Sequence, residues 1–176
     1  MDFYFFELIN NLAGKWRVLD WFGIFCADYL IFVMVFLVIV WTIFNKNDRR
    51  ADEIIILEII LSGFLGYLVK ILINLFYFRP RPFSAHDVNL LIGKLADGSF
   101  PSAHAFLSFA MAFMIYFYSK KLGIVFLVLA AFVSISRIYV GVHYPLDILG
   151  GILLGAFSAL LIKKYLSNLK IFQKSL

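Results

Sequence analysis

Residues 136–147 of this chain read SRIYVGVHYPLD, and they place Arg137, His143 and Asp147 between two long apolar runs. Ionisable side chains beside a membrane span are costly unless they are paired or face water, so they indicate a functional site. Two further polar segments, residues 79–82 (RPRP) and 101–104 (PSAH), also border apolar runs. We expect the three segments to meet at one face of a membrane and to hold a phosphate.

The composition assigns the chain to the membrane class. Of its 176 residues, 63% are apolar and 15% are charged, far from the averages of soluble domains. We expect one membrane-embedded domain over residues 1–176. The net charge of +5 does not predict a nucleic-acid partner, because the basic residues stand at the ends of apolar runs and form no stripe with interleaved aromatic side chains. Cys26 is the sole cysteine, which excludes a disulfide framework and a cysteine-based metal site.

The hydropathy pattern predicts an all-α membrane bundle. A helix needs about 20 apolar residues to cross the ~30 Å hydrocarbon core of a bilayer. Five runs meet or approach that length: residues 20–44, 53–78, 102–119, 124–139 and 145–166. Residues 2–14 mix aromatic and polar side chains and predict a short interfacial helix. Residues 79–100 form a long polar loop.

Lysine and arginine residues predict the orientation of the bundle. One set falls on the same side of five alternating spans: Lys46, Arg49, Arg50, Lys120, Lys121, Lys163, Lys164, Lys170 and Lys174. The positive-inside rule makes this side cytoplasmic. The three polar segments then emerge together on the opposite, outer side.

The pair His143 and Asp147 flanks a predicted helix start. Pro145 is favoured at the first helical position, which makes Tyr144 the N-cap and Asp147 the third helical residue. A carboxylate at that position points back toward the entering loop, as in a capping box, and can reach the His143 ring. An imidazole held in this way has one fixed tautomer and a second nitrogen able to act as nucleophile or base. A plain helix cap beside an interfacial histidine explains the pair equally well.

The other two segments supply an anion site and positive charge. Ser102 is the predicted N-cap of the third span. The free backbone N–H groups at such a helix start favour binding of an anion. His104 follows within the first turn and is placed to donate a proton to a leaving oxygen, although a serine cap with an interfacial histidine is the simpler explanation. Arg81 and Arg137 carry planar forks that match phosphate oxygens. Arg79 is a third arginine of the polar segments, but solvation or contact with lipid headgroups explains a loop arginine as well. Four other loop residues have the same explanation and are left outside the site: His86, Asp87, Lys94 and Asp97.

Asp28, Glu58 and Lys70 are charged residues that lie within the predicted spans. Asp28 and Lys70 lie at similar depths in the first and second spans. Because an isolated charge at that depth is costly, we predict that they pair or share a water-filled pocket beneath the phosphate site. We expect Glu58, close to the inner end, to extend toward the interface.

The three segments together resemble the signature of the type-2 phosphatidic acid phosphatase superfamily. The matching residues are Arg81-Pro82, then Pro101-Ser102 with His104, then Ser136-Arg137 with His143 and Asp147. The likeness covers residues 68–155. Within the superfamily, residues 77–83 (YFRPRPF) and 99–102 (SFPS) resemble the bacitracin-resistance type of undecaprenyl-diphosphatase.

This resemblance implies a metal-independent phosphohydrolase that needs no cofactor and cleaves undecaprenyl diphosphate, a polyprenyl diphosphate lipid. It also implies a bacterial cytoplasmic membrane, with the site on the extracytoplasmic side. In such an enzyme His143 attacks phosphorus and forms a phosphohistidine, Asp147 orients His143, and His104 protonates the leaving group. The residues implied to hold the phosphoryl oxygens are Arg81, Ser102, Ala103 and Arg137.

The chain departs from the family pattern at two positions. The family's lysine, seven residues before the arginine of the Arg-Pro pair, falls on Asn74, while Lys70 lies one helical turn deeper on about the same face. Either residue is therefore a candidate for phosphate contact. The family's glycine between serine and histidine is Ala103 here, which keeps the backbone N–H.

The sequence leaves the substrate and the assembly open. Phosphatidylglycerol phosphate, phosphatidic acid and lipid A phosphates are rival substrates within the same superfamily. A small membrane channel or scaffold is the non-enzymatic alternative, but a channel would carry polar residues through several spans, whereas here they cluster at one end. Membrane lipids are expected neighbours, and the oligomeric state is not specified.

Overall fold

The computed structural model describes residues 1–44, 49–93 and 97–168, which form an all-helical bundle, as the hydropathy pattern predicts. In chain order the elements are α1 (Asp2–Asn10), α2 (Arg17–Ile24), a π-helical turn (Phe25–Tyr29), α3 (Leu30–Phe44), α4 (Arg49–Phe76), α5 (Pro82–Ala85), α6 (Ala103–Tyr118), α7 (Lys120–Tyr139) and α8 (Pro145–Ser167). The predictions for Lys46, Lys94, Lys170 and Lys174, and for the side chains of Arg49 and Arg50, fall outside the described residues.

Within these ranges, four helices are long and apolar enough to cross a bilayer: Arg17–Phe44, Glu53–Phe76, Lys120–Tyr139 and Pro145–Ser167. They correspond to four of the five predicted spans. The remaining span, α6, has 16 residues, which makes it about 24 Å long at the usual helical rise. It packs against α4, α7 and α8, so protein covers most of its surface.

Glycine residues let α6 and α8 approach closely. A Cβ on Gly155 would stand 2.6 Å from the carbonyl oxygen of Phe106 and 2.9 Å from the backbone nitrogen of Ala110. Close backbone contact favours helix association in lipid, where hydrophobicity alone does not drive helices together. The α6–α8 pair therefore forms the centre of the bundle and brings the first turns of both helices to the same end.

Large apolar side chains cover the outside of the bundle. Phe36 in α3, Phe64 in α4 and Leu153 in α8 are each about 60% exposed. An apolar surface of this extent marks contact with a membrane. The protein is therefore a multi-pass membrane protein.

Glu58 does not extend toward the interface, and that prediction is wrong. Its side chain is only 2% exposed. One carboxylate oxygen accepts a hydrogen bond from the Tyr118 hydroxyl at 2.7 Å, and the other lies 3.5 Å from Lys163 Nζ. A buried carboxylate needs such partners, and here α6 and α8 provide them.

Helix α1 is shorter than predicted and packs into the protein. It ends at Asn10, and its Phe6 is fully buried with its ring 5.7 Å from that of Tyr144. The Asn10 amide donates to the carbonyl oxygens of Asn89 at 2.8 Å and Tyr139 at 2.9 Å. Helix α1 thus joins the polar loop to the end of α7.

The link between α6 and α7 is shorter than a helical hairpin loop. Ser119 alone separates the two helices, and its Oγ accepts the backbone N–H of Leu122 at 3.4 Å. Lys120 and Lys121 therefore lie in the first turn of α7, which begins four residues before the predicted start of that span.

We predict that Gly155→Ala lowers the midpoint of thermal unfolding of the detergent-solubilised protein. Alanine gains about 1 kcal/mol in helix propensity, but its Cβ would overlap backbone atoms of α6, and overpacking costs about 1–3 kcal/mol. The matched control is Gly63→Ala in α4, whose Cβ would meet the flexible end of the Leu107 side chain at 3.2 Å. A midpoint for Gly155→Ala at or above that of the control would contradict the close contact.

Candidate active site

The structure brings the three polar segments together around one cavity of about 390 Å³. The cavity is lined by Lys70, Arg81, Gly93, Asp97, Ala103, His104, Arg137 and His143. These residues come from α4, the polar loop, the start of α6, the end of α7 and the turn that follows it. The predicted meeting of distant segments is therefore present in the fold.

A tight turn between α7 and α8 positions His143. Gly141 has a φ of +89°, a left-handed conformation that favours glycine. The backbone N–H groups of Val142 and His143 donate to the carbonyl oxygen of Arg137 at 3.1 and 3.3 Å. The turn therefore places Arg137 and His143, six residues apart, beside the same cavity.

The start of α8 fixes Asp147 next to the His143 ring. As predicted, Asp147 takes the capping-box position, and its Oδ2 accepts the backbone N–H of Tyr144 at 2.8 Å. The same oxygen lies 3.5 Å from His143 Nδ1. The hydroxyl of Ser99, fully buried, lies 3.4 Å from Nδ1 and donates to Asp147 Oδ2. Ser99 therefore bridges a histidine–aspartate contact that is too long for a strong direct hydrogen bond.

The second nitrogen of His143 faces positive charge. Arg81 Nη1 lies 3.1 Å from Nε2 and also donates to the carbonyl oxygen of Val142 at 2.9 Å. Because an arginine nitrogen can only donate, Nε2 is the acceptor and the ring proton resides on Nδ1, next to Asp147. The nucleophilic lone pair of Nε2 is thus directed at the side of the ring where Arg81 and the cavity lie.

Burial and neighbouring charges set the protonation of the site. Burial lowers the pKa of His143 to about 4, the positive charges of Arg81 and Arg137 act in the same direction, and the contact with Asp147 only partly opposes them. Burial alone would raise the pKa of Asp97, but the hydrogen bond at 2.6 Å and the charge of Arg81 hold it below its usual range. At neutral pH His143 is therefore uncharged and Asp97 is ionised.

Arg137 and Ser102, both predicted to hold phosphate, each have a buried polar atom without a hydrogen-bond partner within the described residues. Arg137 is 1% exposed, and its Nη1 donates to Asp28 Oδ1 at 2.7 Å and to the carbonyl oxygen of Ala27 at 3.1 Å. Its Nε, and the Oγ of Ser102, are buried without a hydrogen-bond partner in the part of the chain that the structure describes. Because an unmade buried hydrogen bond costs about 1–3 kcal/mol, these atoms indicate a ligand. His104, half-buried, also opens on this cavity.

The prediction that Asp28 and Lys70 pair or share a pocket is wrong, because Asp28 pairs with Arg137 and does not line the cavity of Lys70. Asp28 lies in the π-helical turn and binds Arg137, while Lys70 lines the cavity beside Asp97. Lys70 therefore lines the same cavity as Arg81, Arg137 and His143. The side chain of Asn74 instead packs against Gly98, and its buried Oδ1 is unpaired within the described residues.

Three residues form contacts within the site that the sequence pattern does not predict. Arg79 donates to Asp147 Oδ1 at 2.7 Å, Asp97 holds Arg81, and Ser99 contacts both members of the histidine–aspartate pair. Arg79 and Asp97 each form an ion pair within the site, so solvation alone does not explain these two residues. For Arg79, its spacing from Arg81 is a usable signal. Prolines keep residues 79–82 extended, and alternate residues of an extended segment point to the same side.

An apolar groove of about 460 Å³ adjoins the polar cavity. It runs between α3, α4 and α6 and is lined by Ile31, Phe32, Val35, Ile59, Ile60, Gly63, Phe64, Ala103, His104, Leu107 and Met111. Ala103 and His104 belong to both linings. A ligand with a charged head and an apolar tail fits this junction.

The chain matches the model of the PAP2 superfamily over residues 53–171. It is 32% identical over 173 residues to undecaprenyl-diphosphatase BcrC of Bacillus subtilis, covering 98% of this chain and 88% of that protein. It is 36% identical over 159 residues to the bacitracin transport permease protein BcrC of Bacillus licheniformis, covering 89% and 76%.

Solved structures agree with the fold. The crystal structure of Aquifex aeolicus LpxE superposes with a TM-score of 0.74 at 30% identity and covers 93% of this chain and 95% of that chain. A PAP2-type phosphatidylglycerolphosphate phosphatase from Bacillus subtilis superposes with a TM-score of 0.55 at 23% identity, covering 97% and 96%, which shows the fold alone.

We predict that His143 remains neutral down to about pH 4. The chain has three histidines, so an NMR titration of isotope-labelled imidazoles can be assigned by the signal that His143→Gln removes. The His143 signal should change with a midpoint near pH 4, because burial and arginine charge lower its pKa to about 4. A midpoint at or above the unperturbed value of about 6.5 would contradict the buried, cation-lined setting.

Proposed function

This chain belongs to the PAP2 superfamily, and from that premise we propose that it hydrolyses undecaprenyl diphosphate to undecaprenyl phosphate and inorganic phosphate. The observation that carries the proposal is a neutral imidazole whose Nε2 faces a cavity with three cationic side chains, Lys70, Arg81 and Arg137. Phosphoryl transfer depends mainly on positioning and on neutralising the equatorial oxygens. The BcrC relative named an undecaprenyl-diphosphatase supports this substrate.

In the first step, His143 Nε2 attacks the terminal phosphorus and the bond to the bridging oxygen breaks. His104 donates a proton to that oxygen, so undecaprenyl phosphate leaves and a phosphohistidine remains. The ring proton on Nδ1 faces Ser99 and Asp147. The carboxylate of Asp147 stabilises the positive charge that develops on the imidazole.

Five groups are assigned to the transferring phosphoryl oxygens. They are Lys70, Arg81, Arg137, the Ser102 hydroxyl and the backbone N–H of Ala103. Arg81 Nη1, now 3.1 Å from His143 Nε2, would turn to a phosphoryl oxygen when substrate binds. The unpaired Arg137 Nε and Ser102 Oγ gain acceptors in the same step.

In the second step, water attacks the phosphohistidine with His104 as the base. The P–Nε2 bond breaks and phosphate leaves, which restores neutral His143. Each imidazole thus returns to its starting protonation state, and the chain's own side chains perform every proton transfer.

The charge pattern supports a site on the extracytoplasmic side of a bacterial cytoplasmic membrane. Lys120 begins α7 and Lys163 lies near the end of α8, whereas Arg137 and Asp147 lie at the opposite ends of those helices. By the positive-inside rule the lysine ends face the cytoplasm. In that orientation the enzyme would recycle the carrier lipid of cell-wall synthesis, and its activity would confer resistance to bacitracin.

We predict that the purified protein releases phosphate from undecaprenyl diphosphate faster than from phosphatidylglycerol phosphate, phosphatidic acid or lipid A, and that a chelator does not change the rate. His143→Ala should lower the rate by at least about a thousandfold, since it removes the nucleophile. Glu7→Gln is the control, because that side chain is exposed and is not part of the cavity lining. Full activity of His143→Ala would refute the mechanism, and preference for lipid A would favour the alternative of a lipid A phosphatase.

The adjoining groove predicts how the polyprenyl chain is selected. Gly63→Leu would fill the groove next to Leu107, so KM for undecaprenyl diphosphate should rise about tenfold, equivalent to about 1.4 kcal/mol of lost binding. Hydrolysis of isopentenyl diphosphate, which has five carbons, should not change. Leu153→Phe on the lipid-facing surface of α8 is the control. An equal effect of Gly63→Leu on both substrates would mean that the polyprenyl chain does not bind in this groove.

A further inference from the structure

We propose that Asp2 in α1 is a positioning residue for catalysis, which acts through Arg79 to hold Asp147, and thereby His143, in the reactive orientation. Asp2, Arg79 and Asp147 are called the N-terminal latch below. The inference rests on the proposed phosphatase function and adds to it a part of the chain, residues 1–10, that lies outside the family match over residues 53–171.

The two oxygens of Asp147 have unequal partners. Oδ2 accepts from Ser99 and from the Tyr144 N–H, and it lies beside His143. Oδ1 accepts from Arg79 Nη1 at 2.7 Å. The side chain of Asp147 is 0% exposed, so an Oδ1 without Arg79 would be a buried, unpaired acceptor. Rotation of the carboxylate to relieve this cost would disturb the contacts of Oδ2 with Ser99 and His143.

Asp2 holds Arg79 in place. Arg79 Nη2 forms an ion pair with Asp2 Oδ2, and its guanidinium lies 4.1 Å from the centre of the Tyr144 ring. The other oxygen of Asp2 accepts the backbone N–H of Leu146 at 3.0 Å. Asp2 therefore binds both the arginine that holds Asp147 and the first turn of the helix that carries it. Without Asp2, one arm of the Arg79 fork loses its acceptor and the side chain gains rotamer freedom.

Packing keeps Asp2 at this position. Phe6 is fully buried against Tyr144, and the Phe3 ring stacks on the His86 ring at 3.9 Å. These contacts fix the face of α1 that carries Asp2. Glu7, on the same helix, is exposed and offers a second carboxylate for comparison.

Asp2 binds Arg79 and Arg79 binds Asp147, which orients His143, whereas neither side chain hydrogen-bonds, within the described residues, to the arginines assigned to the phosphoryl oxygens. The described side-chain hydrogen bonds of Asp2 and Arg79 go to each other, to Asp147 and to Leu146, whereas Arg81 binds Asp97 and Arg137 binds Asp28. Loss of the latch should therefore slow the attack by His143 and leave phosphate affinity intact. General disruption of the fold would change both.

The experiment compares Asp2→Asn with Glu7→Gln in the purified full-length protein. We expect Asp2→Asn to lower kcat for undecaprenyl diphosphate by about tenfold, less than the roughly hundredfold that a 1 Å misplacement can cost. KM and the inhibition constant of inorganic phosphate should not change. Glu7→Gln should match the wild type in all three. Equal kcat values for the two variants, or a weaker phosphate inhibition in Asp2→Asn, would overturn the proposal.

Arg79→Lys provides a second, independent variant. A lysine keeps the charge but lacks the planar fork that reaches Asp2 and Asp147 together, so kcat should fall as in Asp2→Asn. The double variant should be no slower than the slower single one, because both changes break the same chain of contacts. Additive losses, or a wild-type kcat in Arg79→Lys, would overturn the latch while wild-type activity still supports the phosphatase. An inactive wild type would instead refute the proposed function.

Discussion

The structure depends on one constraint, that a charged side chain buried in an apolar bundle must have a partner of opposite charge. Three arginines meet it in the same way: Arg79 binds Asp2 and Asp147, Arg81 binds Asp97, and Arg137 binds Asp28. The pairs of Arg79 and Arg137 join segments that are far apart in sequence, whereas the Arg81–Asp97 pair lies within the polar loop. Arg81 and Arg137 also line the cavity, where their remaining N–H groups can donate to an anionic substrate that neutralises their charge.

The same burial determines the reactivity of His143. Removed from water and faced by two arginines, the imidazole is neutral across the physiological pH range, so its Nε2 lone pair is available without prior loss of a proton. Burial also makes the ring a weaker base. In the proposed mechanism Asp147 offsets this effect, because its carboxylate would stabilise the positive charge that the ring acquires during attack. The reactivity of His143 in this mechanism therefore depends on both its own burial and the charge of Asp147.

Local signals in the sequence predicted most of the fold and the convergence of the motifs. Apolar runs, prolines and the capping position of Asp147 are properties of neighbouring residues, so the spans and the His143–Asp147 pair followed from them. The predictions of a Lys70 partner for Asp28 and of an interfacial position for Glu58 are wrong, because the contacts of both residues depend on tertiary structure. The π-helical turn departs from the regular helical period and turns Asp28 toward Arg137, and Glu58 finds Tyr118 and Lys163 on two distant helices. Ser99 lies in an irregular loop, where sequence pattern carries little information about direction.

The shared wall of the polar cavity and the apolar groove, Ala103 and His104, has a consequence for kinetics. A lipid can reach His143 sideways, with its chain never leaving hydrocarbon and its head never crossing the apolar interior. Encounter is then a two-dimensional search within one leaflet. The quantity that governs turnover is the mole fraction of substrate among the surrounding lipids, so added inert lipid or detergent slows the enzyme by surface dilution even when the bulk concentration is constant.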